Sequence, residues 1–520
     1  MMQRLEGLRF DGALDFPIVQ IHPRAQSHFG RFEKPSYKTL LIAASLLLLC
    51  GCPSGPPKPQ TNKVAHPFRG QDVELVVPAS LQLQALWQVA LDEWMAETGA
   101  TVRWSEYSGA GDESLEKKLS APPAAGGRIV LFPLRKLSEL DKQLAPVETA
   151  ASAGLDLKDI FKGLRDRVVS RDRSVIAIPI SAPVLLCYYR ADLLRAAGLK
   201  PPETWDDYQT LLDALDRWAP GLTAVEPLGP GHRATLFFAR SLAFVKHPEN
   251  YSVWFDLDSG KPQLDTAGFQ EAIEVSSRAW KKMPASIADL SPADCRNQVL
   301  AGKAAMAIGV EPVSSTNSDE TPRTASIEIG ICRLPGSRRV YNSNSRRWDV
   351  QPQSAIHAPA LCGFDGMTIG VSLPNASSKA SVAWHLLSTL TGEQFESNWA
   401  SLPKSPCRES QTGTASSWNE SGLTIEESGR AIDATALMLR DNQLVADLPL
   451  PDAAEFRAVT EETIGKLLKA ELDPATTIRQ LHAEFEQIVS RIGADMIRAD
   501  YRRGLGLPAL EATSPAPKAL

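Results

Sequence analysis

The sequence predicts an α/β fold, and two observations carry that expectation. From Asp72 onward apolar strands alternate with amphipathic helices, and the links between them are short. Such strand–helix–strand units build a parallel sheet with crossover helices on its faces. Val73 to Pro78 (VELVVP) is the first strand. Behind it Leu83, Leu86, Trp87, Ala90, Leu91 and Trp94 recur at helical spacing, so one helix face lies buried on the sheet. Gly99 ends that helix, Thr101 to Tyr107 forms the next strand, and a helix around Leu115 to Leu119 leads to a third, Arg128 to Pro133. Val175–Pro179 and Val184–Tyr189 read as strands flanking Ile180-Ser181-Ala182-Pro183. Ala191 to Ala197 is a short helix closed by Gly198, a residue suited to the left-handed turn after a helix. Thr204-Trp205-Asp206-Asp207 spells a capping box that opens a helix running through Trp218. Asp473 and Pro474 supply the cap and first position of a long helix whose apolar stripe is Ile478, Leu481, Phe485 and Ile488. Segments 312–324, 337–358 and 401–428, rich in Ser, Thr, Asn and Arg, read as surface loops.

The most informative stretch stands before this domain. Thr39 to Cys50 (TLLIAASLLLLC) is apolar and uncharged, and too short to span a bilayer core, which takes ~20 helical residues. Arg31, Lys34 and Lys38 precede it, and Gly51, Cys52 and several prolines follow. A basic flank, a short apolar core and a small-residue exit describe an export signal over residues 1–51. Leu49-Cys50-Gly51-Cys52 also resembles a bacterial lipobox, which implies lipidation of Cys52 at the start of the mature chain. Residues 52–69, Pro-, Lys- and Gly-containing and without hydrophobic periodicity, read as a tether.

Composition narrows the function. The 520-residue chain carries 55 basic and 61 acidic residues, a mild net charge of −6, and no Lys/Arg cluster of the kind nucleic acid requires. Beyond the leader the cysteines are Cys187, Cys295, Cys332, Cys362 and Cys407. Their odd number, wide spacing and lack of a C-x-x-C argue against a disulfide scaffold or a zinc site, while leaving room for one bridge. Four of them lie in or beside apolar stretches, where a free thiol behaves as a small core hydrophobe. No G-x-S-x-G, H-E-x-x-H, phosphate-cradling G-x-x-x-x-G-K or strand-to-helix G-x-G-x-x-G occurs, so no catalytic motif and no cofactor site stands out.

Four strings then point one way. Cys187 to Leu194 (CYYRADLL) followed by Ala197 to Tyr208 (AGLKPPETWDDY) strongly resembles the solute-binding proteins of bacterial ABC importers, the group with the maltose-binding proteins in particular. Gly302 to Gly309 (GKAAMAIG), Ile327 to Gly336 (IEIGICRLPG) and Gly363 to Pro374 (GFDGMTIGVSLP) are similar to further signatures of that family, in the same order. The resemblance implies the two-lobed periplasmic-binding-protein fold, type II-like, with a ligand cleft at the hinge. Its first lobe would comprise 70–181 and 327–400, its second 182–313 and 425–510, with 511–520 a tail. It further implies a monomer that captures a small solute, a carbohydrate foremost, and delivers it to ABC permease subunits without catalysis.

The family places ligand contacts just past strand ends and at helix starts. Carried onto this sequence, those positions are Ser80, Glu106, Ser108, Phe132, Ser181 at the first crossing, His232 and Arg233 at a helix start, Phe364, Asp365 and Phe456. Glu311 stands where relatives often carry a cleft aromatic, which shifts the expected recognition from ring stacking toward charge. Each position has a structural reading as well: the serines as turn or cap residues, the carboxylates as solvated strand ends, His232 as a cap, Arg233 as the partner of an acid, and the phenylalanines as core. Two other functions stay open on sequence alone, a sensor or scaffold lipoprotein of the same fold and a lipid-anchored hydrolase whose paired acids meet only in the folded chain.

Overall fold

The computed structural model describes residues 66–109, 114–147, 154–311, 327–352, 355–374, 381–399, 405–413 and 422–508. The leader, Cys52 and the start of the tether lie outside the described residues.

Two sheets organise the chain. In the first, Asp72–Pro78 runs parallel to Thr101–Tyr107 on one side and to Arg128–Pro133 on the other. Met367–Ser372 then adds antiparallel to Arg128–Pro133, and Ile178–Ser181 adds antiparallel to Met367–Ser372. Val73, Leu75, Val76 and Val77 are fully buried, as befits an inner parallel strand covered on both faces. Leu83–Thr98 covers one face through Trp87, Leu91 and Trp94, and Ser381–Thr391 packs against the same sheet. Trp87 meets the rings of Trp104, Phe395 and Trp399 edge to face at 4.6–6.1 Å.

The second sheet has the order Ile329–Arg333, Leu186–Arg190, Ala304–Gly309, Thr223–Val225, of which only the last pair is parallel. Helices Arg233–Val245, Ala267–Trp280, Ala453–Leu468 and Pro474–Ile492 pack together beside it. Phe255 lies against Phe456 and Phe485 of the last two helices and against Tyr501. A buried ion pair sits in the same lobe. Arg240 donates to Glu226 at 2.5 Å, Trp280 donates to the second Glu226 oxygen at 2.8 Å, and the guanidinium lies 4.2 Å from the Trp205 ring centre.

The lobes are joined where Ser181 leaves the first sheet for Leu186 in the second, where the chain returns to Met367, and again between the helix Ser381–Thr391 on the first sheet and the helix Ile425–Arg440 on the second. The return is tightly specified. Ser181 Oγ accepts from the Met367 amide at 3.1 Å, and the Gly366 carbonyl accepts from Leu134 N at 2.9 Å. Gly366 has φ +97°, and a Cβ there would stand 2.2 Å from the Ser181 carbonyl oxygen. Only glycine fits both conditions. Away from the crossing, Arg503 of the C-terminal helix Ala494–Gly504 donates to Asp141 at 2.8 Å, and Arg171 lies 3.6 Å from the same carboxylate.

Several expectations need correction. The strand Ile329–Arg333 pairs with Leu186–Arg190, so the chain is still in the second sheet at residue 327 and rejoins the first at Met367. The crossing strands lie a few residues later than the apolar runs suggest, at Ile178–Ser181 and Leu186–Arg190. The helix opened by the Thr204–Asp207 capping box stops at Asp213, and a separate turn of helix covers Leu215–Trp218. Segment 337–358 contains the hairpin Arg339–Asn342 with Arg347–Val350. The polar run 401–428 hides a further capping box, Thr424 with Glu427, which opens the helix Ile425–Arg440.

Two outcomes follow for stability. Gly366→Ala should cost about 2 kcal/mol or more, because backbone rather than a flexible side chain blocks the new Cβ; a urea titration showing an unchanged midpoint would count against it. His357 is buried against the Lys246 carbonyl at 2.5 Å. Burial foremost, then the Lys246 and His247 charges, hold its pKa down to about 4 from 6.5, against the pull of that carbonyl and Asp441. The unfolded chain therefore takes up this proton first, and the group's contribution to stability, complete above about 6.5, is lost as pH falls toward about 4. His357→Gln should flatten that part of the stability–pH curve, as urea midpoints between those limits would show.

Candidate functional site

The carboxyl ends of the parallel strands in both sheets lie at the crossing, where open α/β sheets place their ligands. On the first lobe, Arg135 follows the strand Arg128–Pro133 and is exposed. The turn Gly363-Phe364-Asp365-Gly366 feeds the returning strand at the same end, because Met367 pairs with Pro133. Asp365 is exposed at its apex and accepts the Gly366 amide at 2.8 Å. Tyr107, at the end of its strand, donates to the Leu131 carbonyl at 3.1 Å. Burial foremost, with Glu116 adding, raises its phenol pKa, against the Arg135 charge.

On the second lobe the loop after Val225 leads to His232 at the start of the helix Arg233–Val245. Glu461, from the helix Ala453–Leu468, accepts the Gly231 amide at 3.1 Å and the Ala234 amide at 2.8 Å. A carboxylate thus occupies this helix start, where free N–H groups favour negative charge. One turn earlier on its helix, Arg457 donates to Thr235 Oγ1 at 3.2 Å and to Asp447. Asp447 Oδ1 is buried and has no hydrogen-bond partner among the described residues.

Electrostatics ties these groups together across the crossing. Burial lowers the His232 pKa, against the pull of Glu461, Asp365 and Asp294. Burial also lowers the Arg457 pKa to about 10, with Arg135 adding to the drop and Glu461 and Asp365 opposing it. Arg135 and Asp365 from one lobe and His232, Arg457 and Glu461 from the other therefore share one field. A ligand there meets donors and acceptors of both signs.

The remaining sequence-predicted positions fall elsewhere. Ser80 and Ser108 are exposed at strand ends. Glu106 accepts from Trp104 Nε1 at 3.0 Å on the edge strand, on the face that Trp104 turns toward Trp87. Ser181 is fully buried and holds Met367. Arg233 turns from the cleft to bind the Leu228 carbonyl at 2.7 Å. Phe132 and Phe456 are fully buried and Phe364 is 9% exposed, so all three are packing residues. Glu311 is the sharpest correction. It is buried, accepting Tyr188 Oη at 2.6 Å and Arg296 Nε and a terminal nitrogen at 3.3 and 3.2 Å, so its carboxylate is spent inside the lobe. Of the predicted set, His232 and Asp365 are brought together.

Sequence reasoning missed Arg135, Arg457, Glu461 and Asp447. Arg457 and Glu461 are four apart on one helix, a spacing that reads as a surface ion pair. Their neighbour Phe456 drew attention for the wrong reason. Among the described residues no three His, Cys, Asp or Glu side chains gather to hold a metal ion, and no helix is long and apolar enough to cross a membrane.

The two sheets and the crossings between them are those of a two-lobed periplasmic solute-binding protein. Residues 90–420 match the family model of bacterial extracellular solute-binding proteins, and the chain belongs to that family. The fold is similar to the sugar-binding protein of Xanthomonas citri at 17% identity, covering 81% of this chain and 98% of that one with a TM-score of 0.56. A maltose-bound protein of T. maritima is 16% identical over 80% of this chain and 99% of its own, with a TM-score of 0.54. An ABC transporter solute-binding protein from Agrobacterium radiobacter, in complex with ribitol, is 15% identical over 81% of this chain and 100% of its own, with a TM-score of 0.55.

Because Glu311 answers Tyr188 and Arg296 inside the lobe, Glu311→Ala should lower stability by roughly 3–5 kcal/mol. Denaturant unfolding without ligand checks this. A fully stable variant would return Glu311 to the cleft.

Proposed function

We propose that this protein binds a small polyhydroxylated solute, a sugar or sugar alcohol, between its lobes outside the cytoplasm, and delivers it to an ABC permease. The observation that carries the reading is the charge cluster fed by both lobes, in a fold whose solved relatives hold maltose and ribitol. Asp365 and the unpartnered Asp447 oxygen offer acceptors for hydroxyl groups. Arg135 and Arg457 offer the planar donor forks that answer vicinal oxygen pairs. His232, held below its ordinary pKa, stays neutral at pH 7 and can donate or accept. Its work is reversible binding without a chemical step. Residues from both lobes touch one ligand, so the bound solute favours the closed arrangement by the contacts that arrangement adds.

The proposal includes a lipid anchor at Cys52, supported by the Leu49-Cys50-Gly51-Cys52 string. Mass spectrometry of the mature N-terminus checks it: a diacylglyceryl cysteine is expected, and an unmodified start at another residue removes the anchor.

A melting-shift screen across sugars, polyols, amino acids and phosphate esters tests the ligand class. A ligand at 100 times its Kd stabilises by about 2.7 kcal/mol, which is readily seen. With the best ligand, Asp365→Asn should weaken binding about ten- to hundredfold, the loss of one charge-assisted hydrogen bond of roughly 1.5–3 kcal/mol, while the exposed position leaves the melting temperature of the free protein in place. If only another solute class shifts the melt, the carbohydrate assignment fails. Cleavage of a chromogenic glycoside would instead establish a hydrolase.

A further inference from the structure

In the second sheet Cys187 and Cys332 stand directly opposite each other, in the antiparallel pairing of Leu186–Arg190 with Ile329–Arg333. Opposed residues of an antiparallel pair put their side chains on the same face. Two positions along, Tyr189 opposes Gly330, and a Cβ on Gly330 would meet the Tyr189 ring at 2.1 Å. The ring thus lies over the glycine, on the sheet face that also carries the two cysteines.

The register also fixes the kind of pair. Ala191 N donates to the Glu328 carbonyl at 2.9 Å one step beyond the paired strands. Hydrogen-bonded pairs recur every second residue, so Tyr189–Gly330 and Cys187–Cys332 are of that kind, with Cα atoms about 5.5 Å apart. Disulfides span Cα separations of about 4.4–6.8 Å. The facing Cys332 thiol is the first cause that raises the Cys187 pKa, ahead of burial.

We propose that Cys187 and Cys332 form a reversible disulfide that staples the edge strand Ile329–Arg333 to its neighbour when the protein meets a disulfide oxidant. The partner is any small or protein disulfide of the extracytoplasmic space, where such bonds persist. Cys332 is partly exposed and Cys187 fully buried. Cys332 is therefore the thiol that an oxidant reaches. Its thiolate attacks one sulfur of the incoming disulfide and expels the other as a thiolate. The Cys187 thiolate then attacks Cys332 Sγ in the mixed disulfide and expels the remaining half. Two protein thiols and one disulfide become one protein disulfide and two free thiols, with protons conserved. The raised Cys187 pKa makes the second step the slow one.

The bridge should be easy to reduce. In a hydrogen-bonded pair the Cβ atoms stand near 5.5 Å, against about 3.8 Å in a relaxed disulfide, so closure pulls the strands together and a reductant relieves that. Cys362 and Cys407 also lie within electrostatic reach of one another. Both are buried, and Cys362 pairs with Ala446 rather than with Cys407.

This inference rests on the extracytoplasmic reading and not on the ligand, so it stands or falls separately from the carbohydrate assignment. The full chain is treated with oxidised glutathione, denatured without reductant, alkylated and digested. The expected result is a linked peptide pair containing Cys187 and Cys332, two hydrogens lighter than the sum of the two peptides. Both should become alkylated after mild treatment with reduced glutathione. Cys332→Ser should abolish the linked pair and leave Cys187 unalkylated in the folded protein. Full alkylation of both cysteines after oxidant, or linkage confined to Cys362 and Cys407, would overturn the proposal. So would a stable mixed disulfide on Cys332 that never resolves to Cys187.

Discussion

The structure depends on one placement, the insertion of Met367–Ser372 between Arg128–Pro133 and Ile178–Ser181. A chain that leaves the first sheet at Ser181 and visits the second must come back antiparallel into the interior of the first. Its entry is fixed by contacts with little tolerance: Ser181 Oγ on the Met367 amide, the Gly366 carbonyl on Leu134 N, and a glycine where any Cβ would strike the Ser181 backbone. This junction puts Asp365 at the carboxyl end of the parallel strands, beside Arg135. Without the return strand Ile178–Ser181 would lose its only partner in the first sheet, and the chain would lose its return from the second lobe to the first.

Charge in this protein does two kinds of work, and burial separates them. Glu226 with Arg240 and Glu311 with Arg296 are pairs in which both members are nearly fully inside. Taking such ions from water costs several kcal/mol each, so each needs a partner in good geometry. Trp280 gives the Glu226 carboxylate a further donor, and Tyr188 does the same for Glu311. These groups are committed to the lobe that holds them. The cleft groups differ in that Asp365 and Arg135 keep solvent contact while Arg457 and His232 are partly withdrawn from it. A partly desolvated charge facing solvent gains most when a ligand replaces the water.

The fold was legible in the sequence because its signals are local and repeated. Trp87 and Trp94 announced a buried helix face, and the Thr204–Asp207 capping box marked a helix start that the structure keeps. The lobe to which Ile329–Arg333 belongs was not legible, since an apolar strand carries no mark of which sheet will receive it; only its pairing with Leu186–Arg190 decides. The site was read in part for a related reason. Asp365 and His232 stand beside turns and a helix start, positions that a linear reading picks out. Arg457 and Glu461 lie within a helix, and their role comes from what that helix packs against, namely the start of Arg233–Val245. Glu311 misled because its place in the chain follows a recognisable string, whereas its partners Tyr188 and Arg296 come from other segments.

The cleft geometry also bears on how binding can drive motion. Glu461 already satisfies two amides at the start of Arg233–Val245, so that helix start is neutralised before any ligand arrives. On the proposed function, what remains for the solute is the lateral field set by Arg457 and His232 on one side and Arg135 and Asp365 on the other. A solute held by one lobe alone would not change the balance between open and closed arrangements, however tightly it bound. One hydrogen-bonded to Asp365 and Arg457 together would. The free energy available to move the hinge is then limited to the contacts made with the second lobe after the first has been engaged. That limit favours a ligand bearing hydroxyls on opposite edges over one with a single charged end.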